Sequence, residues 1–521
     1  MDGTTAPAAG HNTDCERYRL RNFLDLLRDA GELDTVEGAI DLADLPDRME
    51  GNDRAVLATQ VGPEGATLVG NVAASRSRLA LAFGVPVEKL LPEVMRRLRT
   101  APGTVTLPRE AAPVQQVVLL GEEADLLKLP VHLQHGRDGA PYISASIDFA
   151  PDVSRGWQNV GIRRLMLRGP REAGIDLVSP SDLRMVYEAS AAAGKPLPVA
   201  FAVGTHPVDH VAATMRLPVD ELGVMASLRD APLPVVKCVT NDVMVPADAE
   251  YILEGFLDPA GHVEPEGPYG EFLGYYGGVK RNPVFHLTAI THRRDPVFQT
   301  CTIGGRHMAR TDTAQLSGLR TEVMVWRALE GAVREPLGVY ATGSSGGMFN
   351  VRISLRQRVP GEGRNAIMAA FGSLANVKHV FVVDPDIDIF SDAQMDWALA
   401  TRFQATRDLM VEGGLRALPL DPSLEGGRVG AKAGFDLTWP FGTGDGFEKG
   451  IPEPPRYAGR RFPSIEAALA DGPKFFEELM AATGSRDGRE IVRVLDGLRP
   501  RGLGRDAQGR YTLPAVTTTG N

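Results

Sequence analysis

The stretch EPEGPYGEFLGYYGG (264–278) sets two carboxylates, Glu266 and Glu271, five residues apart among prolines, glycines and aromatic rings. Glycines let a backbone turn tightly and approach a ligand. Apolar neighbours desolvate a carboxyl group and raise its pKa, and a glutamate protonated near neutrality can act as a general acid. The same stretch also reads as a β-hairpin rim bearing two solvated glutamates, and composition alone leaves both readings open. Upstream, WQNVGIRR (157–164) ends in two arginines whose guanidinium forks match a carboxylate or phosphate.

Other candidate chemistry is weaker. Gly343-Ser344-Ser345-Gly346-Gly347 fits G-x-S-x-G, which would make Ser345 the nucleophile of an α/β-hydrolase. That elbow needs a helix directly after the serine, whereas MFNVRISLRQ alternates like a strand, and His379 is the one histidine downstream. His132 and His135 lie in a strand-and-turn context that does not set both on one face, so they read as turn or pocket-edge residues. Arg306, His307 and Arg310 form a basic cluster that is either a solvated rim or a contact for a polar part of a substrate. The sequence holds no H-E-x-x-H, P-loop or strand-linked G-x-G-x-x-G.

The elements that must position these residues follow from pattern. Of the 521 residues, 43% are hydrophobic and 23% charged, a globular balance, and the net charge of -10 argues against a large nucleic-acid surface. No apolar run reaches the ~18 residues of a membrane span, and the first residues do not read as a secretory signal. Three separated cysteines exclude a disulfide framework and a zinc ribbon, which makes a reducing cytoplasm the expected compartment. Leu20, Phe23, Leu24 and Leu27 predict an amphipathic helix over 16–31, and Val87–Arg99 a helix broken in two by Pro92. From Val114 short β-branched runs (VQQVVLLG, YISASIDFA, PVAFAVG, PVVKCVT, PVFHLTAITH, PVFQTCTIG) predict a closed or split β-barrel. An α/β texture returns after about 312, with a helix near 321–329, a strand at 377–384, and final helices near 464–480 and 488–498. The last of these has Ile491, Val494, Leu495 and Leu498 on one face, apolar enough to dock on a second subunit. The expected domains are an N-terminal α/β domain (1–112), a split β-barrel (113–312), a C-terminal α/β domain (313–460) and terminal helices (461–521).

The run E-G-P-Y-G-E-F-x-G-Y-Y resembles the signature of the UbiD-like decarboxylases, and other pieces follow in family order over roughly residues 110 to 445. WQNVGIRR resembles the family's N-x-x-I-x-R element, and the strand at Lys378-His379 and the stretch GFDLT (434–438) resemble its C-terminal segments. The resemblance implies a flavin-reductase-like split barrel binding prenylated FMN (prFMN), and reversible decarboxylation of aromatic or α,β-unsaturated acids. It implies Arg164, Glu266 and Glu271 as the catalytic network, with Arg164 clamping the carboxylate and Glu271 giving the proton. It further implies Asn159 and Glu221 as ligands of Mn2+ or Mg2+ at the cofactor phosphate. The third ligand is usually a histidine about 23 residues past the asparagine; Asp182 stands there, and its oxygens suit the same ions. Asp182 or Ser181 reads equally as a helix N-cap.

Val160, Ile162, Arg164, Ser181 and Lys378 complete the implied cofactor contacts, with a K+ site at the backbone of Ala212, Ala213 and Met215. A flavin prenyltransferase as supplier of the cofactor and a homodimer or larger assembly are implied as well. Decarboxylation leaves an electron pair on carbon that no side chain can accept, so a cofactor must be the sink. A non-catalytic flavin-binding protein is the alternative reading, but such a module has no use for a proton donor beside a carboxylate clamp.

Overall fold

The computed structural model describes residues 15–424, 427–443 and 451–514, which divide into a unit ending at Trp439 and a second unit beginning at Pro440. In the first unit, α1 (Leu20–Asp29) buries Leu20, Phe23, Leu24 and Leu27, the stripe expected from their spacing. Strands β1 (Leu33–Ile40), β2 (Ala55–Val61) and β3 (Ala66–Gly70) follow as the start of one sheet. Pro92 does not split the next helix. A 3-10 turn at Val87–Lys89 leads into a helix over Leu90–Arg97, so Pro92 falls in its first turn, where no N–H is needed.

The central segment contains β4 (Tyr142–Asp152), β5 (Trp157–Gly169), β6 (Glu172–Ile175), α2 (Asp182–Ala192), β7 (Leu197–Val203), α3 (Pro207–Thr214), α4 (Glu221–Arg229), β8 (Tyr251–Leu257) and β9 (Val284–His292). Its six strands form an antiparallel ring in the order β8-β7-β4-β5-β6-β9, and pairing of β8 with β9 from Tyr251↔His292 to Leu257↔Phe285 closes it. The expected split barrel is thus a closed one. Period-two alternation divides its residues between two cores. Val199, Phe201 and Val203 join a cluster drawn from all six strands, while Ala200 and Ala202 pack with residues of α3 and α4.

Two runs expected in the barrel lie elsewhere. Leu233–Lys237 pairs with 104–106 and 244–246 in a separate small sheet, and β10 (Val297–Gln299) lies parallel to β3 in the first sheet. Short β-branched runs specify a strand but not its partner, which longer-range packing decides. The 13-residue β5 is interrupted by Arg163, Arg164 and Arg168 and so shows little apolar alternation, yet it is a barrel strand.

Helix α5 (Asp312–Leu329) starts nine residues before its expected position because Thr311 caps it through a bond from the Ala314 N–H. It adjoins a five-stranded sheet in the order β11 (Pro336–Ala341), β12 (Asn350–Leu355), β13 (His379–Val383), β15 (Val429–Asp436) and β14 (Leu409–Arg416). In the second unit Gly472, at φ +141°, and Pro473 break the expected 464–480 helix into Ile465–Ala470 and Phe476–Thr483. Ile491, Leu495 and Leu498 of the last helix pack into that unit's own core, so the face expected to dock on another subunit is covered locally. Among the described residues no helix is long and apolar enough to cross a membrane.

Helices α3 and α4, which wall the candidate site, are joined by a buried ion pair. Arg229 Nε and Nη2 each donate to the Asp209 carboxylate at 2.7 Å, with Asp248 3.6 Å away. Replacing Arg229 by alanine strands two buried carboxylates, and urea unfolding should register a loss of about 3–5 kcal/mol.

Candidate active site

Arg164 stands on β5, on the strand face shared with Val160 and Ile162; Asn159 and Arg163 occupy the other face. Its guanidinium is almost wholly enclosed by three carboxylates. Nε donates to Glu266 Oε1 at 3.0 Å, Nη1 to Glu271 Oε2 at 3.2 Å, and Nη2 to Asp176 Oδ2 at 2.9 Å. Lys280 Nζ bridges Asp176 (3.0 Å) and Glu271 (3.4 Å), and Asn282 Nδ2 donates to Glu266 at 3.4 Å. The Tyr269 ring lies 4.4 Å from the guanidinium carbon, a cation–π contact on the face the carboxylates leave open.

The hairpin that carries the glutamates is built for close quarters. Glu266 pairs with Lys280 and Glu264 with Asn282 across its two strands. Gly267 adopts φ +96°, and a Cβ on Gly277 would fall 2.7 Å from Glu271 Oε1, so a larger residue there would displace the carboxylate. Burial opposes the charge on Arg164, but Glu271, Glu266 and Asp176 outweigh it and hold the guanidinium protonated. Burial likewise works against the Asp176 carboxylate, yet Arg164 and Lys280 bring its pKa down to about 2. Burial keeps the Tyr142 and Tyr269 phenols neutral. Three carboxylates and two cations leave the cluster one proton short of neutrality.

Beside this cluster lies a cavity of about 550 Å³, within the ~300–1,000 Å³ usual for cofactor and substrate sites. Of the residues anticipated for cofactor or metal, Asn159, Val160, Ile162, Ser181, Asp182, Ala213, Met215 and Glu221 line it. Arg164 and Ala212 are not among its lining residues, although their chain neighbours Arg163 and Ala213 are. Lys378 is not among the lining residues; its Nζ is held by Asp421 and Ser423, each at 2.6 Å, because the C-terminal sheet supplies its own counter-charge.

The anticipated metal ligands converge on one end of the cavity. Asn159 Nδ2 donates to the buried Asp148 at 2.9 Å, which leaves its amide oxygen free. The Val160 N–H donates to Glu221, and Arg155 pairs with Asp182 at 3.0 Å. Ser181 is the N-cap of α2, accepting from the Arg184 N–H, so capping falls to Ser181 and leaves Asp182 for the cavity. Burial, with Asp148 and Asp182 adding to it, pushes the Glu221 carboxyl up to about 7. An oxygen-only set crowded with negative charge fits Mn2+ or Mg2+. Among the described residues no three His, Cys, Asp or Glu side chains form a group that could hold a metal ion by themselves, so a site here would need the Asn159 amide as well.

The remaining candidates are accounted for locally. Ser345 accepts from the Asn350 N–H and donates to the Thr342 carbonyl, and a strand follows it, so it is a turn residue. His132 and His135 border a small separate cavity; burial lowers the His132 pKa to about 4, whereas at His135 Asp138 overcomes burial and raises it. The Arg306 N–H and the Arg310 guanidinium bind Glu50, Gly51 and Asp53, tying the basic cluster to the first segment.

Asp176 and Lys280 escape motif reading, but both were within reach of strand register. Pairing of Leu165 with Ile175 sets Asp176 opposite Arg164, as pairing of β-strand residues sets Lys280 opposite Glu266. Arg216, Arg320 and Arg416 also line the large cavity, and no local pattern in the chain announces them.

Models of the N-terminal, Rift-related and C-terminal domains of 3-octaprenyl-4-hydroxybenzoate carboxy-lyase (UbiD) match residues 21–98, 105–307 and 314–437. Anhydromevalonate phosphate decarboxylase of Methanosarcina mazei is 31% identical over 439 residues, covering 83% of this chain and 98% of that protein. The UbiD-class enzyme HmfF from Pelotomaculum thermopropionicum, solved with FMN, is similar at 36% identity and TM-score 0.78, covering 84% of this chain and 97% of that one. The 3,4-dihydroxybenzoic acid decarboxylase of Enterobacter cloacae is similar at 26% identity and TM-score 0.77, over 87% of this chain and 99% of that one.

Because the Glu221 pKa is raised in the fold, ionising it above pH 7 opposes folding, and below its ordinary 4.5 the carboxyl is neutral in both states. Glu221→Gln should therefore raise the thermal midpoint of the chelator-treated protein at pH 8, by an amount that shrinks as pH falls from 7 to 4.5. Scanning calorimetry across that window is the check.

Proposed function

Because the chain belongs to the UbiD family of carboxy-lyases, we propose that it removes CO2 reversibly from an aromatic, heteroaromatic or α,β-unsaturated acid, using prFMN. The observation that carries this reading is the contact of one guanidinium with both signature glutamates, beside a cavity large enough for a flavin. The solved neighbours include enzymes named for aromatic acids and forms bound to FMN and prFMN, whereas the curated relatives include anhydromevalonate phosphate decarboxylases.

The cofactor supplies, when bound, the electron sink that the side chains lack. Arg164 orients the substrate carboxylate from a position fixed by Asp176 and Glu266, so that its planar fork needs no reorganisation. Glu266, fully buried and steadied by Asn282, connects Arg164 to the reacting end of the cavity. Glu271 is the group that gives a proton to the carbon that CO2 leaves; in carboxylation it takes that proton back.

Asn159, Asp182 and Glu221 would hold Mn2+ or Mg2+, which would neutralise the flavin phosphate, with Arg163 adjacent. The C-terminal end of α3, at Ala212, Ala213 and Met215, offers backbone carbonyls for K+. A flavin prenyltransferase supplies the cofactor, and the protein works as a homo-oligomer.

Glu271→Gln keeps the shape and removes the proton. In protein co-produced with a prenyltransferase it should retain flavin absorbance and lose CO2 release by about 10²–10⁴-fold; full turnover would overturn the assignment. Asp182→Ala should lower bound manganese and flavin together, read by elemental analysis and absorbance, and unchanged content of both would leave Asp182 without a ligand role.

A further inference from the structure

The large cavity has charged groups that the decarboxylation does not use. Helix α5 turns Thr313, Leu316, Ser317 and Arg320 toward it, at the i, i+3, i+4, i+7 spacing of one helical face. Arg320 is 8% exposed, its Nε has no hydrogen-bond partner, and its Nη2 reaches only the Met348 sulfur at 3.7 Å. Burial lowers its pKa to about 10, and the neighbouring Arg216 adds to the effect. Arg216, just past α3, and Arg416, at the end of β14, open on the same space. None of the three is ion-paired among the described residues; Arg216 feels the repulsion of Arg163 and Arg416 and the attraction of Asp182 and Glu221, and burial outweighs that attraction.

The barrel side of the cavity is different. There Arg155 is met by Asp182 and Asp152, and Arg163 by Asp148 at 3.7 Å and the Ser181 hydroxyl at 3.1 Å. Of the anticipated ligands for a divalent ion, Asn159 is on a barrel strand while Asp182 and Glu221 open α2 and α4, and the charge of a flavin phosphate would be answered by that ion. Guanidinium groups gathered without a directly bonded carboxylate are unfavourable until an anion joins them. Near the reacting cluster the cavity is apolar instead: Ile162 lies two residues before Arg164, and Ile303 packs against Tyr142 and Tyr269. A ligand spanning the cavity would therefore present a carboxylate and an apolar body at one end and negative charge at the other.

Resting on the decarboxylase reading, we infer that Arg216, Arg320 and Arg416 form a subsite for a second anionic group on the substrate. The acid is then a dianion, its other group a carboxylate or a phosphate ester, which guanidinium forks bind through charge-assisted hydrogen bonds. Arg320 supplies the buried anchor and Arg416 an exposed second contact.

Calorimetric titration of the full-length flavin-loaded protein tests this with benzoate, isophthalate, terephthalate and 4-(phosphonooxy)benzoate. At least one dianion should bind about tenfold or more tightly than benzoate, the worth of a charge-assisted contact. Arg320→Met should remove that preference. Arg416→Gln, a change at an exposed site that leaves the fold undisturbed, should reduce it independently, with flavin absorbance at the wild-type level in both. Equal binding of all four acids would overturn the inference, as would variants that weaken benzoate as much as the dianions. Loss of flavin from the variants would overturn it too, by giving the arginines to the cofactor phosphate. Failure of every acid to release CO2 strikes the decarboxylase reading instead, because the comparison of affinities does not depend on turnover.

Discussion

A single guanidinium shared by three carboxylates organises the reacting end of this protein. Arg164 comes from a barrel strand, Asp176 from just past the end of the next strand, and Glu266 and Glu271 from a hairpin about a hundred residues later. Each carboxylate would be costly to bury alone, and the arginine would be costly to bury without them. Together they fix three separate chain segments against one another. The arrangement gives a guanidinium fixed on three sides by carboxylates, the geometry on which the proposed decarboxylation rests.

The cavity divides its charge between its walls. Asn159 of the barrel, hydrogen-bonded to the buried Asp148, lines it together with Asp182 and Glu221 at the starts of α2 and α4, and the carboxylates oppose one another's charge. The facing helix and sheet bring arginines that lack partners of their own. A doubly charged acid would give those arginines the partners they lack.

Much of this was legible in the chain. Arg164, Glu266 and Glu271 could be grouped because a long signature carries two of them and a second motif carries the third; the contact distances agree with that grouping. The barrel was visible as repeated β-branched runs. Its membership was not, because Leu233–Lys237 and Val297–Gln299 have the composition of barrel strands and join other sheets. The charged strand β5 hid for the opposite reason, since its arginines are buried by partners distant in sequence. Asp176 and Lys280 required register, which composition does not encode. The cavity arginines required the tertiary fold itself, for Arg216, Arg320 and Arg416 come from a loop, a helix and a strand with nothing local in common. Lys378 shows the limit of transferring a role by position, since in this chain Asp421 and Ser423 hold it.

The most direct measurement is mass spectrometry of the products when the flavin-loaded protein turns over a panel of aromatic and conjugated acids in D2O. One deuterium should appear at the carbon that loses CO2. Arg164→Lys, whose ammonium cannot hold three carboxylates and orient a fourth, should abolish that incorporation while binding flavin and unfolding cooperatively. Undiminished deuteration by the lysine variant would contradict the role given to the guanidinium.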